Sequence, residues 1–175
     1  MLHTLASQAL TLPGNFMECG VYRGGMASMF AQMIADSGTG KKLYLFDTFA
    51  GMPQTHAVKD FHVAGEFADT SAESVAAFVG HPDVAILRKG FVPDTFKGVE
   101  DQVFAFGHID LDIYQSIQDA TRFLWPRLSR GGFIIYDDYG FRSCPGAREA
   151  VDEFFAGTGA KPLAMVTGQA VVFKS

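Results

Sequence analysis

Cysteine is scarce in this sequence of 175 residues: only Cys19 and Cys144 are present, and they lie in different segments. Two separated thiols provide no disulfide framework of the kind that stabilises small secreted proteins. They are also too few for a thiolate metal site. We therefore interpret both cysteines as small core or near-surface residues.

Basic residues and long apolar runs are limited as well. The chain has 14 Lys and Arg against 19 Asp and Glu, a formal net charge of −5, and no basic run. This distribution argues against a nucleic-acid partner. No apolar run approaches the roughly 20 residues needed to span a bilayer, and the N-terminus lacks the pattern of a secretory signal. We predict no membrane partner and a cytoplasmic location.

What the sequence does contain is the composition of a globular protein. Hydrophobic residues make up 48% of the chain and charged residues 19%, so there is enough apolar surface for a core. The length fits one domain. We divide it into a short N-terminal segment, residues 1–14, and a main domain, residues 15–175.

Hydrophobic periodicity predicts strands that alternate with helices. The predicted strands are 15–21, 43–46, 84–87, 103–109 and 133–136; the predicted helices are 26–37, 71–79, 114–128 and 145–156; and a closing hairpin joins 161–166 to 170–173. Alternation of this kind indicates crossover connections and a mostly parallel sheet. The hairpin predicts an antiparallel last strand. The fold class is therefore α/β.

Residues 48–70 interrupt this rhythm without a sustained period of their own. A loop of this length is uncommon in a compact domain unless it forms a lid or a binding loop. Its histidines, His56 and His62, could reach a substrate, although most loop histidines are simply solvated. His108, inside a predicted strand, is interpreted as a core histidine.

Carboxylates end two of the predicted strands. Asp110 and Asp112 follow strand 103–109, and Asp137 and Asp138 follow strand 133–136. Because an unpaired buried charge is costly, these acids must lie where the strands emerge or be neutralised by a cation. The carboxyl ends of parallel strands form the ligand crevice, and clustered oxygens suit a hard divalent ion. The alternative is local capping, with Asp112 capping the next helix and Asp138 in a turn.

A glycine-rich turn follows the first strand, with Gly20 and Gly24 in the spacing G-x-x-x-G. Glycines there allow a ligand to approach the backbone and the amides of the next helix. The spacing is not G-x-G-x-x-G, so a pyrophosphate is not indicated. Glu18 is placed to accept hydrogen bonds from an ammonium group, and Asp47, after the second strand, from ribose hydroxyls. The alternatives are a tight turn with a solvated Glu18 and a capping role for Asp47.

Together these segments resemble the macrocin O-methyltransferase (TylF-type) family. The resemblance is carried by residues 18–25, 45–53 (L-F-D-T-F-A-G-M-P), 108–116 (H-I-D-L-D-I-Y-Q-S) and 131–154. It implies a Rossmann-like class I methyltransferase fold, S-adenosylmethionine as methyl donor and a Mg²⁺ ion that holds the acceptor hydroxyl. The implied acceptor is a small molecule, such as a sugar or another natural product.

The resemblance also implies roles for individual residues. The donor-binding set is Glu18, Gly20, Val21, Tyr22 and Gly24 at the methionine part, Asp47 at the ribose, Thr48 and Phe49 near the adenosine, and Asp110. The metal ligands are Asp110, Asp137 and Asp138. Asp110 is the candidate for accepting the hydroxyl proton, since no lysine lies in residues 109–114. Asp112 is then left as a helix cap or a neighbour of the ligands.

Family members usually carry a longer N-terminal region that covers the acceptor site and helps build the oligomer, whereas the first strand is expected here at about residue 15. The resemblance leaves a homo-oligomer open.

Two other functions compete with methyl transfer. A metal-dependent nucleotide-sugar glycosyltransferase would use Asp110 and Asp112 as its D-x-D motif, and a non-catalytic module would bind the donor without turnover.

Overall fold

The computed structural model describes all 175 residues, and its elements follow the alternation that the sequence predicts. The helices are α1 (Leu2–Ala9), α2 (Gly25–Ser37), α3 (Ala72–Val79), α4 (Tyr114–Leu124) and α5 (Pro145–Phe155). The strands are β1 (Asn15–Cys19), β2 (Leu43–Asp47), β3 (Ala85–Lys89), β4 (Phe104–Ile109), β5 (Leu128–Tyr136), β6 (Leu163–Ala164) and β7 (Ala170–Phe173). Short 3-10 turns lie at Asp94–Phe96 and Trp125–Arg127.

All seven strands form one sheet in the order β3-β2-β1-β4-β5-β7-β6. The first five strands are parallel, whereas β7 pairs antiparallel with β5 and β6 pairs antiparallel with β7. The predicted α/β class and the antiparallel closing hairpin are confirmed. The order reverses at β1, so β1 and β4 lie side by side, and such a switch point is where ligands bind in open α/β sheets.

Helices cover both faces of the sheet, because successive strand residues point to opposite sides. On β1, Phe16 joins a core that contains Phe30 of α2 and Val75 of α3. The next residue, Met17, joins a second core with Ile117 of α4 and further residues of α5. The two cores give three layers. None of the helices combines the length and apolar character that crossing a membrane requires.

Two neighbouring boundaries were predicted wrongly: the helix predicted at 114–128 does not reach Leu128, and the strand predicted at 133–136 starts earlier. α4 ends at Leu124, a 3-10 turn follows, and Leu128 is already the first residue of β5. Pro126 explains the end of the helix, since it has no amide hydrogen to continue the α-helical pattern. The register of β4 against β5 shifts between Phe104 and Phe106, opposite the two glycines, Gly131 and Gly132, inside β5.

The 48–70 loop contains no helix or strand, as predicted, but it is attached to the helices beneath it. The buried Asp60 carboxylate accepts hydrogen bonds from the backbone amides of Tyr114 (2.8 Å) and His56 (2.7 Å). It thereby satisfies a free amide at the start of α4. Lys59 adds an ion pair with Glu149 of α5 at 2.8 Å. The loop therefore has a fixed position at its midpoint.

This attachment predicts the effect of adding one methyl group at Gly146 on α5. A Cβ there would lie 2.4 Å from Asp60 Oδ1 and 3.0 Å from the Lys59 carbonyl oxygen. We expect Gly146→Ala to lower the free energy of unfolding by about 1–3 kcal/mol through overpacking. Urea denaturation measures this change. Gly157→Ala is the control, because no atom lies within 4 Å of its Cβ position; equal stability of the two variants would contradict the predicted contact.

Candidate functional site

A cavity of about 500 Å³ opens at the carboxyl ends of β1, β2 and β4. Seven of the residues predicted for the donor line it: Glu18, Gly20, Val21, Tyr22, Asp47, Thr48 and Asp110. Gly24 and Phe49 do not. Gly24 is the N-cap of α2 and has a left-handed backbone (φ 86°), and Phe49 is buried in the core beside that helix. The structure thus brings most of the predicted donor set to one cavity.

Asp47 holds the glycine-rich turn in place. Its Oδ2 atom accepts hydrogen bonds from the backbone amides of Val21 (2.7 Å) and Tyr22 (2.8 Å). Its Oδ1 atom accepts one from the amide of Phe49 at 2.7 Å. The carboxylate is therefore a structural support of the turn, in addition to any contact with a ligand. The alternative interpretation of Asp47, as a residue that caps backbone amides, agrees with these three hydrogen bonds.

Gly20 is required where β1 meets the segment after β4. Its backbone is left-handed (φ 85°), and a Cβ atom would lie 1.6 Å from the carbonyl oxygen of Asp110. The amide of Asp110 also donates a 2.8 Å hydrogen bond to the carbonyl of Cys19. Only glycine permits such a close approach of two backbones. The floor of the cavity is consequently made of β1 and Asp110 in direct contact.

Two buried side chains, Glu18 and His108, and the half-buried Asp137 connect β1, β4 and the end of β5 behind the cavity. The imidazole of His108, which is fully buried, lies 2.9 Å from Glu18 Oε1 through Nδ1 and 3.5 Å from Asp137 Oδ1 through Nε2. Burial alone would lower the pKa of His108, but the hydrogen bonds with Asp137 and Glu18 outweigh it and raise the pKa to about 10. The ring is therefore an imidazolium at neutral pH and donates from both nitrogens.

Glu18 is 2% exposed and has one unpaired atom. Burial raises its pKa, although the hydrogen bond with His108 lowers it in part. Its second carboxylate oxygen, Oε2, is buried and has no hydrogen-bond partner in the protein. An unpaired buried acceptor is costly, so this oxygen beside the cavity is suited to a donor group of a ligand.

The four aspartates at the strand ends separate into two groups. Oxygens of Asp110, Asp112 and Asp138 lie within 4.8 Å of one another, whereas Asp137 is outside that cluster. Asp137 accepts a 2.5 Å hydrogen bond from Gln169 as well as the bond from His108, and these bonds lower its pKa. Its association with Gln169 of the closing hairpin had no signal in the sequence.

Crowding perturbs the ionisation of the clustered acids. Burial, followed by the charge of Asp138, raises the pKa of Asp110 to about 8. Burial, followed by the charge of Asp112, raises the pKa of Asp138 to about 7. Of the two roles expected for Asp112, the helix cap is wrong: α4 begins after Ile113 without a side-chain cap, and Asp60 accepts the hydrogen bond of its first amide. Asp112 instead lies beside Asp110 and Asp138.

The 48–70 loop supplies part of the cavity wall, through Gly51, Met52, Pro53 and Phe67. Phe67 packs edge-to-face against Tyr22 of the glycine-rich turn, with 5.5 Å between ring centroids. The loop therefore lies over the donor side of the cavity. The sequence indicated a lid by length alone, and nothing in its pattern identified Met52 or Phe67.

The chain is similar to known proteins in sequence and in fold. The chain is 32% identical over 177 residues to the 8-demethyl-8-(2,3-dimethoxy-alpha-L-rhamnosyl)-tetracenomycin-C 4'-O-methyltransferase of Streptomyces olivaceus. The match covers 93% of this chain and 66% of that relative, so the chain spans just under two thirds of the relative's length.

Solved structures share the fold. The O-methyltransferase NovP superposes with a TM-score of 0.85 at 23% identity, over 99% of this chain and 79% of that one. An O-methyltransferase from Bacillus cereus, in complex with SAH, superposes with a TM-score of 0.68 at 18% identity, over 99% and 79% of the two chains. The family model for Macrocin-O-methyltransferase (TylF) matches residues 2–175, and the chain accordingly belongs to that family.

Proposed function

We propose that the protein is an S-adenosylmethionine-dependent O-methyltransferase that acts on a hydroxyl group of a small molecule. The observation that carries the proposal is the position of Asp110. Asp110 lines the same cavity as Glu18, and it also belongs to the acidic cluster with Asp138. A methyl donor and an acceptor hydroxyl held at these two places would meet at Asp110.

The residues of the cavity fit the donor. S-adenosylmethionine carries an ammonium group, for which the unpaired Oε2 atom of Glu18 provides a buried acceptor. The cavity is large enough for a ligand of that size, at about 500 Å³. Asp47 is the proposed ribose partner, and Thr48 is the proposed neighbour of the adenosine, with Phe49 in the core behind it. Gly20 and Val21 would border the methionine part.

The acidic cluster fits a hard divalent ion. Burial and the neighbouring carboxylates raise the pKa values of Asp110 and Asp138, the charge of His108 offsets this only in part, and Mg²⁺ prefers carboxylate oxygens. We propose Asp110, Asp137 and Asp138 as its ligands. Asp112 already lies in the cluster, whereas Asp137 would have to turn an oxygen toward Asp110 and Asp138, since it lies outside their cluster and its Oδ1 atom is bonded to Gln169 and His108. Mg²⁺ bound there would act as a Lewis acid and lower the pKa of the acceptor hydroxyl.

The chain's own groups supply positioning and a proton acceptor. Asp110 is the proposed acceptor of the hydroxyl proton, since it borders the cavity and also belongs to the acidic cluster. Transfer of a methyl group is an in-line displacement, so alignment of the two reactants contributes much of the rate. The 48–70 loop would exclude water through Met52 and Phe67.

The acceptor class follows from the relatives. The Streptomyces olivaceus relative is named for methylation of a rhamnosyl group on a tetracenomycin, and we propose a sugar hydroxyl of a natural product here. The two competing functions, glycosyl transfer and donor binding without turnover, have no support among these relatives. A homo-oligomer and a cytoplasmic location stay predictions.

Removal of the Glu18 charge tests the donor site. Glu18→Gln keeps the shape of the side chain but replaces the charged acceptor, and a hydrogen bond to a charged group contributes about 1.5–3 kcal/mol. We expect S-adenosylmethionine to bind about 10- to 100-fold more weakly, as measured by calorimetry. Glu73→Gln, at an exposed position of α3, should bind as the unmodified protein does. Absence of donor binding in the unmodified protein would overturn the methyltransferase proposal itself.

Substitution of the proposed metal ligands tests the Mg²⁺ site. We expect Asp110→Asn and Asp138→Asn to lower methyl transfer to a panel of glycosides by at least about 100-fold, since several kcal/mol of transition-state stabilisation would be lost. Asp137→Asn should weaken Mg²⁺ binding more than Asp112→Asn does. Asp101→Asn, in the exposed turn before β4, is the control. Full turnover with excess chelator would rule out the metal and leave donor binding untouched.

A further inference from the structure

A second cluster of metal-ligating side chains lies beside the acidic one. His62 comes from the 48–70 loop, Asp112 from the turn after β4, and Cys144 from the residue that precedes α5. Ligand atoms of all three lie within 4.8 Å of one another. Cys144 Sγ is 3.5 Å from His62 Nε2 and 3.4 Å from Asp112 Oδ1, and His62 Nε2 is 3.7 Å from Asp112 Oδ1.

Two of these three distances match the edges of a tetrahedral zinc site, and the third is slightly longer. Zinc bonds of about 2.3 Å to sulfur and about 2.0–2.1 Å to nitrogen and oxygen, at tetrahedral angles, separate the ligand atoms by about 3.3–3.6 Å. The observed separations are 3.4, 3.5 and 3.7 Å. An ion can therefore be accommodated with only small movements of the side chains.

The His62 ring is held in the orientation that a metal ligand needs. Its Nδ1 atom lies 2.7 Å from Glu66 Oε2 on the same loop. When Nδ1–H donates to that carboxylate, the lone pair of Nε2 points toward Cys144 and Asp112. A carboxylate behind the ligating imidazole is the usual arrangement in zinc sites, because it fixes the tautomer and increases the basicity of the ring.

We propose that His62, Asp112 and Cys144 bind a zinc ion, with a water molecule at the fourth position. A donor set of sulfur, imidazole nitrogen and carboxylate favours Zn²⁺, whereas the oxygen-only set of the neighbouring cluster favours Mg²⁺. The site needs only one thiol, because His62 and Asp112 supply the other two protein ligands. The site goes beyond methyl transfer and does not depend on it.

Binding would release a proton. In the free protein, the Cys144 thiol donates a hydrogen bond to Asp112. On binding, the sulfur–hydrogen bond breaks, the thiolate sulfur bonds to Zn²⁺, and the proton passes to solvent. No electron is transferred. Affinity should therefore increase with pH.

The ion would connect the loop to the body of the protein. His62 and Glu66 lie between Met52 and Phe67, which both line the cavity. The attachment through Asp60 fixes the middle of the loop, and a zinc ion at His62 would fix the half that follows it. Zinc is thus positioned to control how firmly the loop covers the cavity.

Cobalt substitution tests the site in the full chain with excess Mg²⁺ present, which occupies oxygen-only sites. Titration with Co²⁺ should produce a thiolate-to-cobalt charge-transfer band and tetrahedral absorption, and one equivalent of Zn²⁺ should remove both. Cys144→Ala should abolish the band. His62→Gln should weaken Zn²⁺ binding at least about 100-fold, and Glu66→Gln about 10- to 100-fold.

His3→Gln is the matched control, since His3 is exposed on α1 and outside the cluster; its zinc affinity should equal that of the unmodified protein. Circular dichroism identifies variants that fail to fold, and His62→Gln on the surface loop remains informative if Cys144→Ala is unstable. The proposal is overturned if no charge-transfer band forms, or if His62→Gln binds zinc as well as the control. In either case the cluster is a set of hydrogen bonds only.

Discussion

The buried His108 imidazolium is the interaction on which the two halves of the site depend. It lies on β4, between Glu18 on β1 and Asp137 after β5, and its pKa of about 10 keeps it charged. A buried charge is tolerated only while its partners remain, and loss of one partner typically costs about 3–5 kcal/mol. The carboxylate at the donor side and the carboxylate at the acidic side therefore share one cation.

The elements that carry the site were predictable because their signals are local. An apolar run that ends abruptly in Asp47 or Asp110 marks both a strand and its exposed end. Glycines spaced as Gly20 and Gly24 mark a turn that a ligand or another backbone approaches. The missed boundary at Leu128 has the same origin: an apolar residue after a proline fits the end of a helix and the start of a strand equally well.

The contacts that the sequence did not predict join residues far apart in the chain. Asp60 meets Tyr114 across 54 positions, and Cys144 meets His62 across 82. Hydrophobic periodicity describes one element at a time and contains no information on such pairs. The position of Asp137 is a similar case, because its hydrogen bond with Gln169 depends on how the closing hairpin packs at the sheet edge.

The close approach of Gly20 to the Asp110 carbonyl has a consequence for how the family can diversify. A side chain at Gly20 would collide with the carbonyl of Asp110, so the course of the backbone at the base of the cavity cannot change by a single substitution at Gly20. The 48–70 loop is different, since it is attached by a few side chains and its wall residues can change one at a time. New acceptor preferences should therefore arise through substitutions of loop residues that line the cavity, while the backbone beneath them keeps its shape.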